Sequence, residues 1–167
     1  GIDVEIWNAA GDAYLPARYT SEDLSGKGVC KRHLQRRVGL EEDDRAFLIG
    51  SVGRLMGQKG FPVLTDAFPL LSDLTLQLVV LGSGDPALEQ RARELAETWP
   101  GKVACIIGFE EDLAHLIEAG ADAFVMPSSY EPCGLNQMYN QRYGTAPIVH
   151  ATGGLKDTVI DATGENM

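Results

Sequence analysis

The residues best placed to do chemistry are Arg54 and Lys59, in the stretch GRLMGQKG at 53–60. An apolar run, AFLIGSV, leads into that stretch, and FPVLTDAF follows it. The pattern is a glycine-rich loop that leaves a strand and enters a helix. Glycines at 53, 57 and 60 let a ligand approach the main chain. The start of a helix adds free amides and the positive end of a dipole. With two cations across one turn, the ligand that suits this loop is a diphosphate. No Gly-Lys-Ser/Thr occurs there, so it is not the phosphate loop of NTPases. The competing reading is a pair of solvated surface charges.

A second chemical candidate is Glu131, in MPSSYEPCGLNQMYNQRYGTAPIVHATGGL at 126–155. It lies on a polar loop between Pro127 and Pro132, just ahead of a helix start. It also reads as an acid that favours the dipole of that helix. Cys133 is either a thiol activated near a helix start or a small apolar filler. Gly82-Ser83-Gly84-Asp85-Pro86-Ala87 superficially fits the dinucleotide pattern GxGxxA, but it follows a second strand rather than a first. A tight turn beside a ligand crevice is the better reading. Phe109 stands at the carboxyl end of a strand, where it either stacks on a nucleobase or forms part of a core wall. His115 and His150 read as satisfied polar contacts. No second ligand stands at metal spacing, so no metal is expected.

These residues need a scaffold that gathers strand ends. Apolar runs at 46–52, 76–81, 102–106, 122–126 and 147–150 read as strands, continuous rather than alternating, as in sheets covered on both faces. Helical patterns follow at 61–71, 87–98, in a short segment ended by Gly120, and in a stretch opened by Gly134-Leu135-Asn136 with Leu135, Met138, Tyr139, Arg142 and Tyr143 at helical spacing; a last helix follows the turn at 151–154. Residues 30–38 form a basic helical stretch ended by Gly39. Residues 1–30 read as an irregular surface wrap, with a helix starting near Lys27. Strand–helix alternation with short connections predicts an α/β fold, a doubly wound parallel Rossmann-like sheet, with its core over 46–160. In such sheets ligands bind at the carboxyl ends of the strands.

The 167 residues make one domain with a sizeable core. The formal charge of −10 argues against nucleic acid and anionic membrane as partners, because both reward a basic surface. No apolar run approaches a membrane span. The three cysteines, Cys30, Cys105 and Cys133, are scattered and odd in number, which fits a reducing compartment and gives no disulfide framework. The first and last residues look cut, so a fragment of a longer polypeptide is expected.

The sequence resembles the bacterial-type glycogen synthases and plant-type starch synthases. The resemblance is carried by Gly1-Ile2-Asp3 with Trp7-Asn8, GRLMGQKG at 53–60, LGSGD at 81–85, the long stretch at 108–145, and IVHATGGLKDTV at 148–159. Two of these, GRL..QKG and VH.TGGL.DTV, look more like the plant and algal branch. The family has the GT-B architecture of two Rossmann-like domains, and this chain resembles the carboxyl-terminal, donor-binding half.

The resemblance implies roles. Arg54 and Lys59 would hold the donor diphosphate and stabilise it as leaving group. Phe109 takes the place of a family aromatic that packs on the base. Glu131 would hydrogen-bond the donor glucose and steady positive charge growing on its ring. The amides of Cys133, Gly134 and Leu135, with Gly82 nearby, would meet the phosphates or sugar. In the E-x7-E signature of related retaining transferases the second position is Tyr139 here, as is usual for this family. The implied reaction moves glucose from ADP-glucose or UDP-glucose to the non-reducing end of an α-1,4-glucan, with no cofactor. The implied partners are the nucleotide-sugar donor, an α-glucan acceptor and an amino-terminal domain of the same polypeptide. The Lys-x-Gly-Gly-Leu motif of that domain is not in this sequence, so the chain alone is expected to be inactive. The implied setting is intracellular, plastid or cytoplasm. The alternative is a non-catalytic nucleotide-sugar or glucan-binding module.

Overall fold

Five apolar runs become the strands of one sheet in the computed structural model, which describes residues 1–163. They are β1 (Phe47–Val52), β2 (Leu76–Gly82), β3 (Val103–Ile107), β4 (Ala123–Met126) and β5 (Ala146–Val149). All pairings are parallel, in the order β3-β2-β1-β4-β5. The helices are α1 (Ser25–Val38), α2 (Phe61–Leu70), α3 (Pro86–Thr98), α4 (Glu111–Gly120), α5 (Asn136–Arg142) and α6 (Gly153–Thr158). Strand β2 is buried along its whole length. Val79 and Leu81 point into a core with Leu34, Leu116, Ile117 and Phe124, whereas Leu78 and Val80 point into another with Phe61, Phe68 and Leu95. The twofold alternation of a strand thus feeds two cores, one on each face, which is why successive residues at 78–81 are all apolar. Edge strand β5 is only half buried.

The chain leaves β1 toward β2 and β3 on one side, then returns past β1 to add β4 and β5 on the other. The carboxyl ends of β1 and β4 therefore form the switch point at which a crevice opens.

Helix α1 begins five residues earlier than the predicted stretch at 30–38. Gly26 and Gly28 suggest a loop by composition, but Gly26 is a packing requirement: a Cβ there would lie 2.4 Å from the Arg18 carbonyl oxygen. Buried Lys31 of α1 donates to the Asp122 carboxylate at 2.7 Å and to the Ala46 carbonyl at 2.6 Å. Asp122 also accepts the Leu48 amide at 2.7 Å, so one carboxylate ties α1 to β1 and β4. In α2, Pro69 falls in the last turn, and the helix closes one residue later.

Residues 1–24 carry no helix or strand, yet they are more than a surface wrap. The Trp7 ring stacks between His115 (centroids 3.9 Å apart) and Tyr139 (3.7 Å). The buried Asp12 carboxylate accepts from the Tyr143 hydroxyl at 2.6 Å and pairs with His115 Nδ1 at 2.7 Å. Tyr19 donates to the carbonyls of Ala119 and Tyr143 at the ends of α4 and α5. Lys27 reaches the same two carbonyls at 3.0 and 3.2 Å, and burial pulls its ammonium group down to about 8. Orphan carbonyls at two helix ends are satisfied by one phenol and one amine.

Candidate functional site

The site is built by two loops that follow neighbouring strands. After β1, residues 53–56 run out and a short 3-10 turn at Gly57–Lys59 brings the chain back to α2. After β4, residues 127–135 run to α5. The loops are zipped together. The Gln58 carbonyl accepts from the Ser129 amide at 2.9 Å and its hydroxyl at 3.2 Å, and Gln58 Nε2 donates to the Tyr130 carbonyl at 3.3 Å. Gly60 makes this approach possible. Its φ is +74°, and a Cβ there would lie 2.0 Å from the Pro127 carbonyl oxygen, so both conformation and space demand glycine.

Zipping the loops pairs two candidates that stand 72 residues apart. Lys59 Nζ is ion-paired and hydrogen-bonded to Glu131 Oε2. The Glu131 side chain is 9% exposed and that of Lys59 35%. Buried Ser128 gives Glu131 a long second contact at 3.5 Å. The Glu131 backbone is held from behind, its carbonyl accepting the Gly154 amide at 3.0 Å. His150 Nδ1 donates to the Ser128 carbonyl at 2.9 Å. The double glycine at 153–154 and His150 thus position the loop from outside the cavity.

A cavity of about 400 Å³ opens at the switch point. Arg54, Lys59, Glu131, Gly134 and Leu135 all line it. The Arg54 side chain has no hydrogen-bond or ion-pair partner among the described residues, so its guanidinium is uncommitted. Formal charges of Arg54, Lys59 and Glu131 leave the cavity cationic against a chain of −10. A neighbouring cavity of about 320 Å³ shares Arg54 with the first and adds Gly82, Ser83, Gly108 and Phe109. Phe109 is 77% exposed, with its ring open to solvent rather than in a core wall.

The second glycine turn belongs to the frame of the site. The Leu55 amide donates to the Ser83 carbonyl at 3.0 Å and the Asp85 amide to the Leu55 carbonyl at 2.9 Å, so the turn after β2 locks the loop after β1. Asp85 caps α3 through the Ala87 amide at 2.8 Å. Cys133 is exposed and lines neither cavity; its carbonyl accepts from Gln137 Nε2 at 3.1 Å. Among the described residues no group of three His, Cys, Asp or Glu side chains is placed to hold a metal ion, and no helix is long and apolar enough to cross a membrane.

Sequence reasoning missed Asn136 and Ser128. Asn136 lines both cavities, and its Nδ2 donates to the Val52 carbonyl at the end of β1, 2.8 Å away. The available signal was a polar residue directly after Gly134-Leu135, at the first position of a helix that faces strand ends.

The family model for glycosyl transferases group 1 matches residues 33–165. A glycogen synthase of Nitrosomonas eutropha is 54% identical over 167 residues, 100% of this chain, and one of Anaeromyxobacter sp. is 54% identical over 164 residues, 98% of this chain. The chain spans about a third of their length, 33% and 34%. The catalytic domain of starch synthase IV from Arabidopsis thaliana, solved bound to ADP and acarbose, matches with a TM-score of 0.92 at 36% identity. That match covers 100% of this chain and 35% of the plant chain.

Proposed function

This chain belongs to the group 1 glycosyl transferases, and from that premise we propose that it is the donor-binding domain of a retaining glucosyltransferase that elongates an α-1,4-glucan. Its doubly wound parallel sheet is the Rossmann-like carboxyl-terminal half of a GT-B enzyme. The donor is ADP-glucose or UDP-glucose and the acceptor a non-reducing glucan end. The acceptor groove belongs to an amino-terminal domain of the same polypeptide, and the setting is intracellular, cytoplasm or plastid. The similar relatives are glycogen synthases, and the plant neighbour was solved with ADP, which supports ADP as the nucleotide.

The observation that carries the reading is the convergence of Arg54, Lys59 and Glu131 on one cavity at the switch point. The donor diphosphate sits against Arg54 and Lys59, with the amides of Gly134 and Leu135 at the loop end. Phe109 and Gly82 flank the base. In the free chain Lys59 is held by Glu131. A bound diphosphate draws Lys59 toward itself and frees the carboxylate for the sugar. As the bond from glucose to phosphate lengthens, negative charge grows on the leaving diphosphate and positive charge on the sugar ring. The cations meet the first and Glu131 the second. Charge that develops only in the transition state is stabilised more there than in the ground state, and that difference accelerates the step.

Calorimetric titration of the chain with ADP, UDP and their glucose conjugates, repeated on Lys59→Ala, tests the site. One nucleotide binds, and the variant binds it more weakly. Binding that Lys59→Ala leaves unchanged refutes the assignment of Lys59 to the diphosphate.

A further inference from the structure

Asn136 occupies the wall between the two cavities and lines both. Its amide cannot flip. The Val52 carbonyl, 2.8 Å away, accepts a hydrogen bond, so the atom facing it must be the donor Nδ2. The other arm of the amide, Oδ1, is then an acceptor of fixed identity. Among the described residues Oδ1 has no hydrogen-bond partner, and Asn136 is half-buried. The neighbouring Tyr139 ring is taken up by its stack on Trp7.

An acceptor in that position is selective. It repels a phosphate oxygen, which is also an acceptor and carries charge. It rewards a hydroxyl, which can donate. The cavity that holds Arg54, Lys59 and Glu131 suits a sugar diphosphate; the one that holds Phe109 suits a base. The part of a nucleotide that joins the two is its ribose.

We propose that Asn136 Oδ1 accepts a hydrogen bond from a ribose hydroxyl of the donor, so that the site selects ribonucleotides over deoxyribonucleotides. This rests on the donor-site reading above and adds a specificity-determining residue to it. The Val52 bond sets the angle of the amide, and the rigid end of β1 sets its position. The same tether makes Asn136 a gauge of the distance between sugar and base.

The test is a cycle between residue and ligand. The chain is titrated by calorimetry with ADP and UDP and with the 2′-deoxy and 3′-deoxy form of each, and the series is repeated on Asn136→Ala. In the native chain removal of one ribose hydroxyl weakens binding about five- to tenfold, the size of one neutral hydrogen bond. In Asn136→Ala that gap closes, and the ribonucleotide binds about as weakly as the deoxy form. Loss of the Val52 tether alone would weaken both forms equally and leave the gap, so a purely structural role is distinguished. Asn136→Ser serves for the same comparison should the alanine variant unfold. A native chain that binds ribo- and deoxyribonucleotides equally overturns the proposal, as does a gap that survives in the variants. Those results leave the donor site standing. Failure of the native chain to bind any of these nucleotides overturns the donor-site reading and this proposal with it.

Discussion

Replacing Lys59 by methionine will destabilise the chain more than replacing Glu131 by glutamine, although both break the same ion pair. Lys59→Met leaves a carboxylate whose side chain is 9% exposed, with only the Ser128 hydroxyl at 3.5 Å to satisfy it. Removal of one partner from a fully buried pair costs about 3–5 kcal/mol, while exposed pairs contribute about 0–1 kcal/mol. Lys59 is about a third exposed, so water screens part of the pair. A loss of about 2 kcal/mol follows, between those two limits. For a chain of this size that lowers Tm by about 4–8 °C. Glu131→Gln leaves an ammonium group that swings into solvent, and its cost is under about 1 kcal/mol. The double variant Lys59→Met/Glu131→Gln recovers most of the Lys59→Met loss, because the orphaned charge is gone. Urea denaturation of all four proteins gives the coupling energy, expected at about 1–2 kcal/mol. Equal costs for the two single variants, or strict additivity in the double variant, would refute the buried-pair reasoning. The cost is a property of a site that holds charges poorly solvated until a ligand arrives.

The remaining expectations follow from other contacts. Gly60→Ala forces a Cβ into the Pro127 carbonyl at a φ of +74°; it should cost more than about 2 kcal/mol, from a strained conformation plus overpacking, and a urea midpoint within error of the native one would show the two loops are not locked there. Burial in α4 holds the Glu118 carboxyl well above its ordinary range, so the folded chain keeps its proton after the unfolded chain has released it. This group's contribution is intact below about pH 4.5 and is lost as pH rises toward its folded value. Glu118→Gln should therefore gain on the native chain as pH increases, by up to about 1.4 kcal/mol per pH unit, and melting curves from pH 5 to 8 that stay parallel would contradict it. In a polypeptide that carries the amino-terminal domain, Lys59→Ala and Glu131→Ala should each lower glucan-elongating turnover by more than about tenfold, as read by glucose incorporation; unchanged turnover in both would sink the catalytic assignment.

Much of the frame was legible in the residues themselves. Apolar runs such as LVVL at 78–81 identify strands covered on both faces, because a strand with one wet face would alternate. Pro127 and the glycines at 53, 57 and 60 mark the loops, and Arg54, Lys59 and Glu131 stand out as charges set next to strand ends. What the pattern cannot carry is neighbourhood. Every parallel strand offers the same backbone donors and acceptors, so the order β3-β2-β1-β4-β5 is decided by how all the helices pack at once. That order alone sets β1 beside β4, brings Lys59 onto Glu131, and lets Asn136 reach the carbonyl of Val52. The same holds for residues 1–24. Their polar composition reads as a surface wrap, and only the packed α4 and α5 create the slot that takes Trp7 and the buried network that needs Asp12. Burial can be read one residue at a time, whereas a site made by two loops from distant strands exists only once the sheet has closed the distance between them.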